Sequence, residues 1–293
     1  MRRFAVLQLS GCAGCEVSLL NADEWVDRYQ LVYMPLVASA YDVPEVDILL
    51  VSGGVRNDED LYKLRKAVKK AACVVAVGTC AISGGVANLG DRDDVRALFL
   101  EREQRFHLPR LLPKSHPVDA MVDVDLYLPG CPPTPELFMA VLSAAQLPPD
   151  PSVYQASKTI CGECGRKKLR DMRPQHLVGF QQGRVLPDIC LINQGYLCIG
   201  SSTRGGCRAP CTRAGHPCVG CRGPSDVFIE KDSSAWLTSI QRVFSGMTDV
   251  PEDEISSALR SPHLALFLFQ FSDYGMPEGQ LNGRKPRPKE KIL

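Results

Sequence analysis

Eight cysteines, Cys161, Cys164, Cys190, Cys198, Cys207, Cys211, Cys218 and Cys221, stand within 61 residues of this chain. Gly and Pro abound between them, and few helix or strand patterns are visible. A segment so short of core is held together by cross-links or by metal. In an exported chain the cross-links would be disulfides. The cytosol keeps thiols reduced, and there cysteine pairs such as Cys12/Cys15, Cys161/Cys164 and Cys218/Cys221 more often bind metal.

Nothing at the start of the chain reads as an export signal. Arg2 and Arg3 precede an apolar stretch, Phe4–Leu9, too short for a signal's hydrophobic region, and no small-residue cleavage site follows. No apolar run approaches the ~20 residues that cross a bilayer. The expectation is a cytoplasmic protein with no direct membrane insertion. Over 293 residues, 34 Lys and Arg balance 33 Asp and Glu, so the whole chain gives no electrostatic reason to expect nucleic acid as a partner.

The first half alternates. Apolar runs of strand length recur at Phe4–Leu9, Leu31–Val37, Val46–Val51, Cys73–Val77 and Val124–Leu128. Helix-like stretches lie between or after them at Cys15–Asp27, Asp58–Lys70, Arg92–Arg105 and Thr134–Ala145. That alternation predicts a doubly wound parallel α/β sheet of flavodoxin-like type over residues 1–150. Cys12 and Cys15 follow the first strand, Cys80 the fourth and Cys131 the fifth. The carboxyl ends of such strands converge on the crevice where ligands bind.

Four thiolates there suit one [4Fe–4S] cluster, which takes four cysteine ligands. The neighbouring glycines, Gly11, Gly14, Gly53, Gly54, Gly78, Gly84, Gly85 and Gly130, let backbone approach a bulky inorganic core. A structural zinc ion is the plainer alternative, but a knuckle of the Cys12/Cys15 kind usually draws its other ligands from a second close pair. Cys80 and Cys131 are singletons. A nucleotide or flavin is the other rival for this fold, yet neither a Walker A loop nor GxGxxG is present. Cys73, inside an apolar run, reads as an inert core thiol.

Pro148, Pro149 and Pro151 read as a linker, after which residues 151–225 form a small irregular cysteine-rich domain. Chain order suggests two fours, Cys161, Cys164, Cys190 and Cys198, and Cys207, Cys211, Cys218 and Cys221, though spacing alone leaves other partitions open. Spacing alone leaves two zinc sites open against two iron–sulfur clusters. With both sets complete, His216 is expected beside the ligands or at the surface. Residues 226–293 read as a helical extension, with apolar stretches at Trp236–Phe244 and Ile255–Phe271, and a basic, Pro-rich tail at Arg284–Lys289.

Cys12-Ala13-Gly14-Cys15, Gly78-Thr79-Cys80 and Pro129-Gly130-Cys131-Pro132-Pro133 together resemble the proximal-cluster signature of [NiFe]-hydrogenase small subunits, a half shared by the small subunit of NADH–quinone oxidoreductase. Cys161-Gly162-Glu163-Cys164-Gly165-Arg166-Lys167-Lys168, Cys190–Gly200 and Thr203–Cys221 resemble the cytoplasmic archaeal-type members. The F420-non-reducing (methyl-viologen-reducing) and F420-reducing groups are the nearest of these. The resemblance spans about residues 1–225 and implies three [4Fe–4S] clusters. Cys12, Cys15, Cys80 and Cys131 would hold the proximal one, Cys207, Cys211, Cys218 and Cys221 the medial one, and Cys161, Cys164, Cys190 and Cys198 the distal one.

Relatives of the periplasmic respiratory type have a histidine where this chain has Cys161, and lack a match to Cys211. That difference implies four irons at the medial site here. The resemblance further implies a catalytic large subunit as partner, with no nickel site or catalytic residue in this chain. It also implies an electron-accepting subunit: a flavoprotein, an iron–sulfur protein or a heterodisulfide reductase-type assembly. Glu16, directly after Cys15, is expected to be an ordinary acid of a first helical turn.

Overall fold

A computed structural model describes residues 1–37, 41–144, 158–179, 182–225 and 235–260. The described residues separate into two compact units, one running through the helix that ends at Ala144 and one from Lys158 to Arg260. The linker expected around Pro148, the tail and most of the Ile255–Phe271 stretch lie outside the described residues.

The first unit contains seven strands in chain order. They are β1 (Arg2–Gln8), β2 (Tyr29–Tyr33), β3 (Val46–Ser52), β4 (Val55–Asn57), β5 (Ala71–Val77), β6 (Leu111–His116) and β7 (Leu126–Leu128). Five of them form a wholly parallel sheet in the order β2-β1-β3-β5-β7. Counting only its members, this is the flavodoxin-like order, whose crevice opens where the winding reverses between β1 and β3. β4 and β6 pair antiparallel in a separate two-stranded sheet.

The central strands read as unbroken apolar runs because both faces are covered. Phe4, Ile48, Leu49, Val51, Val75 and Ala76 are fully enclosed. Phe4 also meets Trp25 and Tyr29 edge to face, a favoured ring geometry. The helices of this unit are α1 (Gly14–Leu20), α2 (Asp58–Val68), α3 (Gly78–Ser83), α4 (Asp93–Phe106) and α5 (Pro135–Ala144). α2 starts where it does because the Asn57 side chain accepts from the Asp60 amide at 2.8 Å, satisfying one open N–H of its first turn.

Two expectations need correction, and one feature is new. The helix expected over Cys15–Asp27 stops at Leu20 and gives way to a short 3-10 turn at Asp23–Trp25. The second strand occupies Tyr29–Tyr33, earlier than Leu31–Val37. The β4/β6 pair had no sequence signal, since the β6 segment Leu-Leu-Pro-Lys-Ser-His breaks alternation with a proline and lies off the main sheet.

The second unit is mostly irregular. It carries two single-turn helices, α6 (Cys161–Cys164) and α7 (Pro210–Arg213), and two longer ones, α8 (Ala235–Met247) and α9 (Glu252–Arg260). The last two belong to the same compact unit as the cysteine segment. Arg173 donates to Asp249 at 2.8 Å and to the Thr248 carbonyl at 2.6 Å, tying the segment to the turn between α8 and α9.

Polar groups add to a small apolar core that includes Ile160, Leu191, Ile192 and Ile199. The Arg166 guanidinium donates to the carbonyls of Thr212, Leu186 and Ile189 at 2.6, 2.9 and 2.8 Å. The enclosed Asn193 amide accepts from Leu169 and donates to the Leu169 and Met172 carbonyls. Among the described residues, no helix is long and apolar enough to cross a membrane.

Candidate metal centres

The end of β1 is pinched against the end of β3. Ser10 and Gly54 exchange backbone bonds at 3.2 and 2.9 Å, and Gly53, with φ +77°, lies where a Cβ would come within 2.8 Å of Leu9. Only glycine fits that approach. The chain then turns through Ala13 in the left-handed region (φ 61°) into α1, presenting Cys12 and Cys15 on either side of that turn.

Two bonds bring the other strands' ends to the same place. The Thr79 amide donates to the Gly130 carbonyl at 2.9 Å, joining the segment after β5 to that after β7. The Ser18 hydroxyl donates to the Pro133 carbonyl at 2.6 Å, fixing α1 to the Cys131 loop, where the Cys131–Pro132 peptide is cis. Gly78 (φ +81°) faces Cys15 so closely that a Cβ would stand 2.5 Å from its sulfur. The four thiols converge here. Burial raises the Cys15 pKa, followed by the charges of Glu16, Cys80, Cys131 and Cys12.

Glu16 is a first-turn acid of α1, as expected. It is buried at 2% exposure and accepts from the Ser52 hydroxyl, while its other carboxylate oxygen is enclosed without a hydrogen-bond partner. The sequence signal was weak: a helical position beside Cys15 whose inward direction only the β3 end, at Ser52, reveals.

In the second unit Cys161 and Cys164 bound the single turn α6. The Cys190 amide donates to the Lys167 carbonyl at 2.8 Å, drawing Cys190 to the segment that follows Cys164. Burial raises the Cys161 pKa; Lys168 opposes this, and the charges of Cys190 and Cys164 add to it. Burial also pushes Cys198 up to about 12, with smaller contributions from Cys161 and Cys190. Cys161 thus lies near Cys190 and Cys164, and Cys198 near Cys161 and Cys190.

Cys207 feels the charge of Cys211, and Cys218 feels Cys198 first and Cys221 after it. The two pairs share a neighbour in Arg222, whose buried guanidinium feels the charge of both Cys207 and Cys221. Glu163 is a second organiser. Its carboxylate accepts from the amides of Gly206 and Arg208, the latter at 2.8 Å, so it grips the chain on both sides of Cys207. Neither residue was singled out from sequence, because both roles depend on contacts between distant positions.

All thirteen cysteines are free thiols. Among the described residues, no group of three His, Cys, Asp or Glu side chains is arranged to hold a single metal ion. The chemistry of the donors suits iron–sulfur cores: burial disfavours a bare thiolate at Cys15, Cys80, Cys161, Cys198, Cys207 and Cys218, and coordination to a cationic core offsets that penalty. Cys73 stays apart in β5, buried, with its pKa pushed up to about 12 by burial and by Asp125.

Comparison with known proteins follows the same division. The family described as the NADH ubiquinone oxidoreductase 20 kDa subunit matches residues 12–145. The chain is 35% identical over 248 residues to the G-type subunit of the vhu F420-non-reducing hydrogenase of Methanococcus voltae, covering 79% of this chain and 85% of that one. It is 33% identical over 212 residues to the gamma subunit of the coenzyme F420 hydrogenase of Methanosarcina barkeri, covering 70% and 73%. Among solved structures, the actinobacterial-type NiFe-hydrogenase from Ralstonia eutropha matches with a TM-score of 0.52 at 16% identity, covering 90% of this chain and 87% of that one. That last likeness speaks to the fold.

Proposed function

Since the chain belongs to the family of G-type subunits of F420-non-reducing hydrogenases, and is thus a non-catalytic small subunit of a [NiFe]-hydrogenase, we propose that it conducts electrons from H2 oxidation in a large subunit to an acceptor subunit. The observation that supports this reading is the convergence of Cys12, Cys15, Cys80 and Cys131 at the end of the sheet, where Cys15 feels the other three, together with eight further cysteines between Cys161 and Cys221.

In this reading Cys12, Cys15, Cys80 and Cys131 hold the proximal cluster. Cys207, Cys211, Cys218 and Cys221 hold the medial one, and Cys161, Cys164, Cys190 and Cys198 the distal one. Bound there, [4Fe–4S] clusters supply one-electron storage and transfer. The chain's own residues set the terms. Burial, the Glu16 carboxylate beside Cys15, the Arg222 guanidinium beside Cys207 and Cys221, and the amide of Cys218 on the Cys198 sulfur all act on potential. Free thiols in this number fit a reducing, cytoplasmic setting.

The 20 kDa quinone-oxidoreductase description accounts for residues 12–145 alone and gives the eight later cysteines no role. Zinc stabilisation is the non-redox alternative. Anaerobically purified protein separates them: about twelve irons per chain, with the brown absorption of clusters, is the expected result. Colourless protein with zinc in these places removes the relay.

A further inference from the structure

Residues 158–225 contain eleven Lys and Arg against three Asp and Glu, a formal excess of eight positive charges in a chain whose net charge is +1. Some of that excess is internal. Arg204 and Arg222 are buried, and Arg166 is engaged with three carbonyls. Thiolates at the eight cysteines would offset more of it.

Lys167, Lys168, Arg170 and Arg184 are different: they are exposed, and none forms an ion pair among the described residues. They sit on two segments bonded to each other beside the distal set. The Lys167 amide donates to the Asp188 carbonyl at 2.7 Å, and its carbonyl accepts from Cys190 at 2.8 Å. Lys168 is close enough to Cys161 to act on its thiol. On the same segments Leu169 and Leu186 are each 41% exposed, so large apolar side chains lie within a cationic rim. That is the make-up of a protein contact surface.

We infer that this face docks a protein electron carrier whose own contact surface is acidic, seated beside Cys161, Cys164 and Cys190. The inference rests on reading those cysteines as the ligands of the terminal cluster. A polyanion such as nucleic acid fits less well. Two exposed acids, Asp171 and Asp188, interrupt the patch and would repel phosphates, while the two leucines offer contact that a phosphate backbone does not use. Complementary charge speeds encounter and sets orientation, and salt weakens it.

The test uses the intact hydrogenase complex purified without oxygen, in two assays. One follows H2-dependent reduction of a viologen dye, which needs no protein docking. The other follows reduction of an acidic ferredoxin as salt is raised. The ferredoxin rate should fall at least about tenfold from low to high salt. A combined Lys167→Gln, Arg170→Gln and Arg184→Gln variant should lower the low-salt rate by a similar factor and leave dye reduction unchanged. Lys168 is kept intact there because it faces Cys161.

Dye reduction with a ferredoxin rate indifferent to both salt and the substitutions overturns the docking surface and leaves the relay standing. Absence of dye reduction from the complex overturns the relay and the docking surface with it. Salt-sensitive retention of duplex DNA, abolished in the variant while its ferredoxin rate is unchanged, assigns the patch to nucleic acid and also overturns the proposal.

Discussion

The backbone amide of Cys218 donates to the sulfur of Cys198 across 3.3 Å, so a residue of one cysteine set is hydrogen-bonded to a sulfur of the other. Hydrogen bonds to ligand sulfur raise cluster potential, which makes each set sensitive to its neighbour. Cys198→Ser should leave a three-iron or labile cluster at the distal set and also shift the midpoint of the medial one. EPR-monitored redox titration of the anaerobic protein reads both. A medial midpoint identical to wild type would show that the contact transmits nothing.

Cys211 is exposed at the edge of α7, the least enclosed member of its set. If it completes the medial site, Cys211→Ser yields a three-iron or labile cluster there. An unchanged four-iron EPR signature in that variant removes Cys211 from the ligands.

Glu163 belongs in sequence to the distal pair but grips the loop of Cys207. Glu163→Ala should therefore loosen the medial site while sparing the distal one, and Glu163→Asp should restore part of the loss. Iron content and the medial EPR signal give the readout. Selective loss of the distal signal would contradict this assignment. The two amide bonds are charge-assisted, so their removal costs on the order of 1.5–3 kcal/mol each.

Gly78 has a positive φ and no room beside Cys15. Gly78→Ala should cost about 1–3 kcal/mol in backbone strain and push the Cys15 sulfur away from its partners. Loss of about four irons per chain, with the circular dichroism of the sheet retained, is the expected outcome. Full iron occupancy in the variant would contradict it.

Cys73 gives a prediction of pH dependence free of any cluster. An unfolded chain ionises this thiol near pH 9.0, whereas burial and Asp125 push it up to about 12 in the sheet. Between those values the unfolded state sheds a proton that the native state keeps, so stability falls as pH rises. Below the unfolded value the contribution is complete. Denaturant unfolding of the Cys73→Val variant should show a shallower alkaline decline than wild type; parallel curves would refute this origin.

The parallel sheet was legible because strands buried on both faces must be apolar throughout, and Ile48–Val51 and Ala71–Val77 are so. The positions of Cys12, Cys80 and Cys131 followed from chain order alone. Glu16 is a first-turn acid as read, but its burial shows only in the packing against Ser52. Glu163 and Arg222 carry no periodic signal, and their roles exist only through contacts more than ten residues away in sequence. The basic face escaped notice because acids elsewhere cancel it in the whole-chain balance.

The first four cysteines are scattered from position 12 to position 131 and meet only when β1, β3, β5 and β7 are assembled in one sheet. Before the sheet closes, that pocket has no existence for iron to find. The later eight lie close along the chain, where short loops cost little entropy to close, so there metal can organise backbone that has little core of its own. In the three-cluster reading, maturation follows opposite logic at the two ends of one polypeptide: folding must precede the first site, whereas metal can assist folding around the later eight cysteines.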